Sequence, residues 1–277
     1  MILPAEEQDL RSIEVQIAIA APPDVVWKAL IDPVELVRWF PLEARVVPGV
    51  GGSMWLSWGE PIVSYSQITI WEPNRHLGTV EARPLGVLLE PGGTNNAPRT
   101  LDYLIRPLQG GTELRVMHSG FGRGSYWEEL YSAVQRGWEF QLRSLRHYLA
   151  RHGGTDRSIA CVRRSLHLPA QEVWSRFMGC AGLLGAGSLG GAKEGDQFSI
   201  CTATGDFMEG VILIHDPPKQ FAVTVANRND SLFRVYLVEG VTGVLEANLW
   251  LGTYGRPQSE IRAFEQQWRI LLEQALG

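Results

Sequence analysis

Residues 15–27 read VQIAIAAPPDVVW, and residues 162–174 read VRRSLHLPAQEVW. Val15, Pro22, Val26 and Trp27 match Val162, Pro169, Val173 and Trp174 at a constant separation of 147 residues. A second pair follows: ITIWEPNRHL begins at Ile68 and ILIHDPPKQF at Ile212, 144 residues later, with Pro73 answering Pro217. A third is fainter. Phe121-Gly122 and Tyr254-Gly255 each precede a long helical pattern that contains a tryptophan, Trp138 or Trp268. Three pairs in the same order point to duplication of one folding unit, and a repeat of that kind constrains the architecture more than any composition does. A chain of 277 residues accommodates two ordinary domains. The glycines of His152-Gly153-Gly154-Thr155-Asp156 suit a linker after a helix end, so the domains are expected at residues 8–152 and 156–277.

Each copy reads alike. Ile13, Val15, Ile17 and Ile19 alternate with Glu14, Gln16 and Ala18, the pattern of a half-buried strand. Pro22-Pro23-Asp24 opens a short helix, because proline fits a first helical turn and an acid there complements the helix dipole. Pro33 starts a second short helix that runs through Trp39-Phe40. Strands are expected at 54–58, 63–71, 76–82, 101–107 and 113–118, with a hairpin turn at Gly110-Gly111. A long helix over about 125–151 carries Trp127, Leu130, Tyr131, Val134, Trp138, Leu142, Leu145 and Leu149 along one stripe. A curved antiparallel sheet wrapped around one long helix buries both apolar faces and leaves room for an apolar pocket between them. In the second copy Arg164 stands where Ile17 stands in the first, a position that would need an acidic partner or an anionic ligand if buried.

Several motifs of the first half act together: VWKALIDPVELVRWF at 26–40, GG at 51–52, WEPNRHL at 71–77, GGTELRVMHSGF at 110–121 and GWEFQLRSLRHYL at 137–149. As a set they resemble the activator-of-heat-shock-protein-ATPase-homologue-like branch of the START/SRPBCC superfamily. The second half resembles a diverged copy, keeping the VW and DPPK elements. The resemblance implies an α+β class with two tandem helix-grip (START-like) domains, each a curved antiparallel sheet around a long C-terminal helix. It also implies an internal cavity that takes an apolar or polycyclic small molecule. Members are carriers, sequestering proteins, and polyketide cyclases or aromatases. The family's co-chaperone activity goes with an additional N-terminal domain and is not expected of this chain.

Residues suited to such a cavity are chiefly aromatic. Seven of the ten tryptophans fall in the first half, and flat aromatic walls suit flat apolar ligands. Trp39, at the end of the second helix where the resemblance places the cavity entrance, and Phe40, Trp55, Phe121 and Trp138 are the candidate walls. Gly137 leaves room beside Trp138. Tyr65, Tyr103, Tyr131 and His118 are candidate polar anchors, and His118 is also a candidate general base. A one-residue error in strand phase would turn any of the strand candidates outward.

Other chemistries are poorly represented. The net charge of −5 argues against a nucleic-acid partner. Three cysteines, Cys161, Cys180 and Cys201, lack metal-ligand spacing, so neither metal nor disulfide framework is expected. No cofactor motif stands out. Gly185–Gly190 matches G-x-G-x-x-G, but no strand–turn–helix context surrounds it, and it reads as a loop, as does 85–99. The acidic first residues do not read as a secretory signal, and no apolar run reaches the roughly 20 residues that span a bilayer, so a cytoplasmic protein without membrane insertion is expected. The functional expectation is therefore an apolar small-molecule ligand held by a carrier or sequestering protein. The alternatives are a cyclase or aromatase acting on a polyketide-like substrate, and a protein-interaction module with filled cavities. Catalytic residues and oligomeric state are not legible.

Overall fold

The computed structural model describes residues 10–59, 62–81, 98–179, 182–183, 189, 191–239 and 243–276. Residues 85–97, Cys180, Gly185–Ser188 and Gly190 lie outside them, and with them most of both expected loops. The chain divides into two compact units between Gly154 and Thr155.

The first unit runs β1 (Arg11–Ile19), α1 (Pro23–Ile31), α2 (Pro33–Trp39), β2 (Glu43–Val47), β3 (Ser53–Ser57), β4 (Val63–Glu72), β5 (His76–Glu81), β6 (Thr100–Leu108), β7 (Gly111–Phe121) and α3 (Ser125–Arg151). Its seven strands form one antiparallel sheet in the order β1-β7-β6-β5-β4-β3-β2. The second unit runs β8 (Arg157–Leu166), α4 (Ala170–Phe177), β9 (Gln197–Cys201), β10 (Phe207–Asp216), β11 (Gln220–Val225), β12 (Ser231–Glu239), β13 (Leu245–Tyr254) and α5 (Gln258–Leu276), with strand order β8-β13-β12-β11-β10-β9. Both are α+β helix-grip arrangements, an antiparallel sheet with a long C-terminal helix.

Local chemistry sets the element ends. Asp32 closes α1 through its N–H to Lys28 O and caps α2 by accepting from Val34 N–H at 2.9 Å. Prolines at the first turns of α1 and α2 give up a donor that has no helical partner. Gly110, at φ +81°, makes the tight turn that joins Leu108 to Gly111 across the β6–β7 hairpin.

The two units share more than element order. In β4 the ladder to β5 shifts register between Ile68 and Ile70; in β10 it shifts between Ile212 and Ile214, 144 residues on. Gly51 N–H donates to Ile68 O at 2.8 Å and Gly195 N–H to Ile212 O at 2.9 Å, again 144 residues apart. The β-bulge that bends the strand therefore recurs with its flanking bonds.

Three details differ from the sequence expectation. β2 is an additional edge strand; its alternation is faint because Ala44 and Val46 are only half-buried. On α3, Tyr148 rather than Leu149 is fully buried. Its hydroxyl donates to Glu35 Oε2 at 2.6 Å and accepts from Gly154 N–H at 2.9 Å, tying α2 and the chain beyond the helix to its C-terminal end. Arg164 is half-buried opposite Ala247 on β13, so the apolar phase of β8 is broken there.

Candidate functional site

On the inner face of the first sheet, successive strands contribute every second residue: Ile13 from β1, Leu114, Val116 and His118 from β7, Tyr103 and Ile105 from β6, Leu77, Thr79 and Glu81 from β5, and Met54 and Leu56 from β3. α3 lies against this face and brings Leu130, Trp138, Leu142 and Leu145. Most of the layer is apolar. Thr79, His118 and Glu81 are the exceptions, and the site forms around the two titratable ones.

Trp138 Nε1–H donates to His118 Nδ1 at 3.2 Å. An indole nitrogen only donates, so Nδ1 supplies its lone pair and the ring proton lies on Nε2. Nε2 lies 3.5 Å from Glu81 Oε1, too far for a well-formed hydrogen bond, and is buried without a hydrogen-bond partner. Arg99 Nη2 holds the other carboxylate oxygen of Glu81 at 2.6 Å. Burial pushes the Glu81 carboxyl upward, but the Nε2–H dipole of the facing His118 and the charge of Arg99 outweigh it. The group is held below its ordinary value and carries its charge inside the fold. Burial pushes the Tyr103 hydroxyl strongly up, with Glu81 adding to the effect, so Tyr103 stays protonated beside the carboxylate.

Aromatic rings surround this polar chain. Trp138 lies 5.4 Å from Phe40 and 5.9 Å from Tyr103, centroid to centroid. Phe40 also packs edge-on against Trp58 at 5.0 Å, and His118 against Phe121 at 4.8 Å. Phe121 continues to Tyr131 at 5.6 Å. These offset and edge-to-face contacts suit π-systems, whose faces are negative and edges positive.

Of the nine residues singled out in the sequence, Phe40, Tyr103, His118, Phe121 and Trp138 thus come together. Tyr131 stands at the margin: its hydroxyl donates to Ser12 O at 3.1 Å and its ring lies under the Arg11 guanidinium. Trp39 is not an entrance residue. It is fully buried, its Nε1–H donates to Ala29 O at 2.9 Å, and its own carbonyl accepts from Ser144 Oγ. It staples α1, α2 and α3 together. Trp55 and Tyr65 are paired across β3 and β4 on the opposite face of the sheet, because Met54, Leu56, Ser66 and Ile68 occupy the inward phase. Trp55 there stacks under Arg45 at 4.6 Å, and Tyr65 is 43% exposed. Glu81 and Arg99 were missed. The signal for Glu81 was a carboxylate in the inward phase of Leu77-Thr79-Glu81; Arg99 follows residues 82–97, across which phase could not be carried.

Strand register locates the same positions in the second unit. Ile13 and Leu101 flank His118, and Ala160 and Phe233 flank Leu251, so Leu251 stands where His118 stands. By the same ladders Val225 replaces Glu81, Ser231 replaces Arg99 and Val235 replaces Tyr103. The inner layer there is mostly apolar, with Ser231 and Thr253 as buried polar members and Phe233 and Phe264 against Trp268 at 5.1 and 5.4 Å. Trp268 Nε1 is buried without a hydrogen-bond partner. Among the described residues no cluster of three or more His, Cys, Asp or Glu is placed to hold a metal ion, and no helix is long and apolar enough to cross a membrane.

An antiparallel sheet gripping a long C-terminal helix, with the polar chain between them, defines the first unit as a START-like helix-grip domain. Residues 20–150 match the model of the family described as Activator of Hsp90 ATPase homolog 1-like protein, the family that the motifs of the first half resemble. No curated protein matches the sequence. Among solved structures, a protein from Mesorhizobium loti is similar at 23% identity over 51% of this chain and 98% of its own, with a TM-score of 0.44. The Aha1 dimer from Colwellia psychrerythraea is similar at 17% identity over 52% and 99%, also at 0.44. DynU16, a protein of the dynemicin biosynthetic locus, is similar at 18% identity over 96% of both chains, at 0.43.

Proposed function

We propose that the first unit binds a flat, mainly apolar small molecule between its sheet and α3, as a carrier or sequestering protein. The observation that carries this reading is the His118–Glu81–Arg99 chain beside an aromatic layer, with His118 buried and its two partners half-buried. The described residues of the second unit lack such a chain at the matching positions. Buried polar and charged groups cost folding free energy unless satisfied, and His118 keeps an unsatisfied donor. The second unit fills the same positions with Leu251, Val225 and Ser231, none of them charged, so the fold itself does not require the charged chain.

Native mass spectrometry of the freshly purified chain, with the denatured mass as control, tests the reading. An extra mass released on denaturation supports it and begins to identify the ligand. No extra mass, together with no binding of flat aromatic compounds in calorimetry, favours a protein-interaction module with a filled interior. The His118–Glu81 pair also supports an enzyme of the cyclase or aromatase kind, because an imidazole beside an ionised carboxylate is suited to moving a proton. The chemistry of a captured ligand separates the two: a carrier returns it unchanged, and a cyclase returns a ring-closed product.

A further inference from the structure

His118 presents a buried donor without a hydrogen-bond partner beside a carboxylate oxygen of Glu81. The Nε2–H of His118 has no hydrogen-bond partner, while Glu81 Oε1, 3.5 Å away, is the oxygen that Arg99 does not take. A single oxygen seated at ordinary hydrogen-bond distance from both atoms completes a triangle. Such an atom must accept from Nε2–H and, through its own proton, donate to the carboxylate. A hydroxyl does both. An ether or ketone oxygen accepts but leaves the carboxylate unserved. An amine salt meets the Arg99 guanidinium, and a carboxylate or phosphate meets Glu81. Trp138 makes the arrangement one-way: by donating to Nδ1 it keeps the proton on Nε2, the nitrogen nearer Glu81.

We infer that the ligand of the first unit carries a neutral hydroxyl on a flat aromatic frame, and that this hydroxyl seats between His118 Nε2 and Glu81 Oε1. This deepens the small-molecule reading above and rests on it. Glu81 and His118 are then the residues that set specificity, and Trp138 is a positioning residue that acts through His118.

The test is calorimetric titration of the full chain with 2-naphthol and with 2-methoxynaphthalene, which differ in the one proton at issue. The wild-type chain is expected to bind 2-naphthol about tenfold or more tightly than the ether, the size of one hydrogen bond to a charged group. Glu81→Gln, which keeps the shape, and His118→Phe should each reduce that preference to within about threefold, chiefly by weakening naphthol binding. Equal affinity of the wild type for both compounds overturns the hydroxyl inference and leaves the small-molecule reading standing. A preference that survives both substitutions overturns the assignment to His118 and Glu81. Binding of neither compound overturns the inference together with the reading beneath it.

Discussion

Trp138 and Trp268 each sit inward on the long helix of their unit, buried at 6% and 1% exposure, yet their indole nitrogens differ in one respect. Trp138 Nε1–H serves His118; Trp268 Nε1–H serves no partner. Trp→Phe at either position removes a similar part of a buried ring, at a cost of about 2 kcal/mol from lost apolar burial. At Trp138 the change also leaves His118 Nδ1 buried and unpaired, adding about 1–3 kcal/mol. At Trp268 it removes an unpaired buried donor, which offsets the ring loss by about 1–3 kcal/mol. The expectation is that Trp138→Phe destabilises its unit by about 3–5 kcal/mol and Trp268→Phe by no more than about 1 kcal/mol. Guanidinium unfolding followed by far-ultraviolet circular dichroism gives the totals, and hydrogen exchange read by mass spectrometry assigns each to β7 or β13. Equal losses in the two units, or a larger loss for Trp268→Phe, would refute the reasoning, since it rests on the hydrogen bond alone.

Further outcomes follow from the same geometry. Glu81 titrates below its unfolded value, so the stabilisation it brings is present above that value, near pH 4.5, and is lost as pH falls through the lower folded value; acid titration of unfolding should show this in wild type, and Glu81→Gln should remove that share of the slope. Trp39→Ala should destabilise the first unit by about 3–5 kcal/mol, as for a core aromatic, which a denaturation midpoint will show, rather than act on binding alone. A Cβ built on Gly137 meets nothing within 4 Å, so Gly137→Ala should stabilise α3 by about 1 kcal/mol, measurable as a higher Tm. Trp55→Ala, on the outer face, should leave ligand affinity unchanged and cost the chain about 1 kcal/mol, the worth of its stack under Arg45.

Much of the architecture was legible in the sequence because burial imposes a period. Ile13, Val15, Ile17 and Ile19 alternate, and β1 lies where the alternation places it. The stripe of Leu130, Trp138, Leu142 and Leu145 marks a helix whose bounds match α3. β2 escaped because an edge strand with half-buried residues on one face has little amplitude to read. The site was legible in part. His118 and Trp138 share a layer because one ends a strand and the other lies on the helix gripped by it. Trp55 and Tyr65 failed on strand phase, since residues of the same type one step along face opposite sides of the sheet. Trp39 failed because type alone does not separate an aromatic that walls a pocket from one that staples three helices. Glu81 was visible as a polar residue in an apolar phase, but its importance comes from Arg99, and their pairing is a property of the ladder rather than of the local sequence.

The central claim is that ligand chemistry belongs to the first unit, at His118 and Glu81. It is tested most directly by following the indole N–H resonances of the intact chain during titration with 2-naphthol. The account predicts a saturable shift of the Trp138 signal, assigned by Trp138→Phe, with the Trp268 signal unmoved. A shift at Trp268 with Trp138 unmoved, or saturable binding that moves neither, would contradict it.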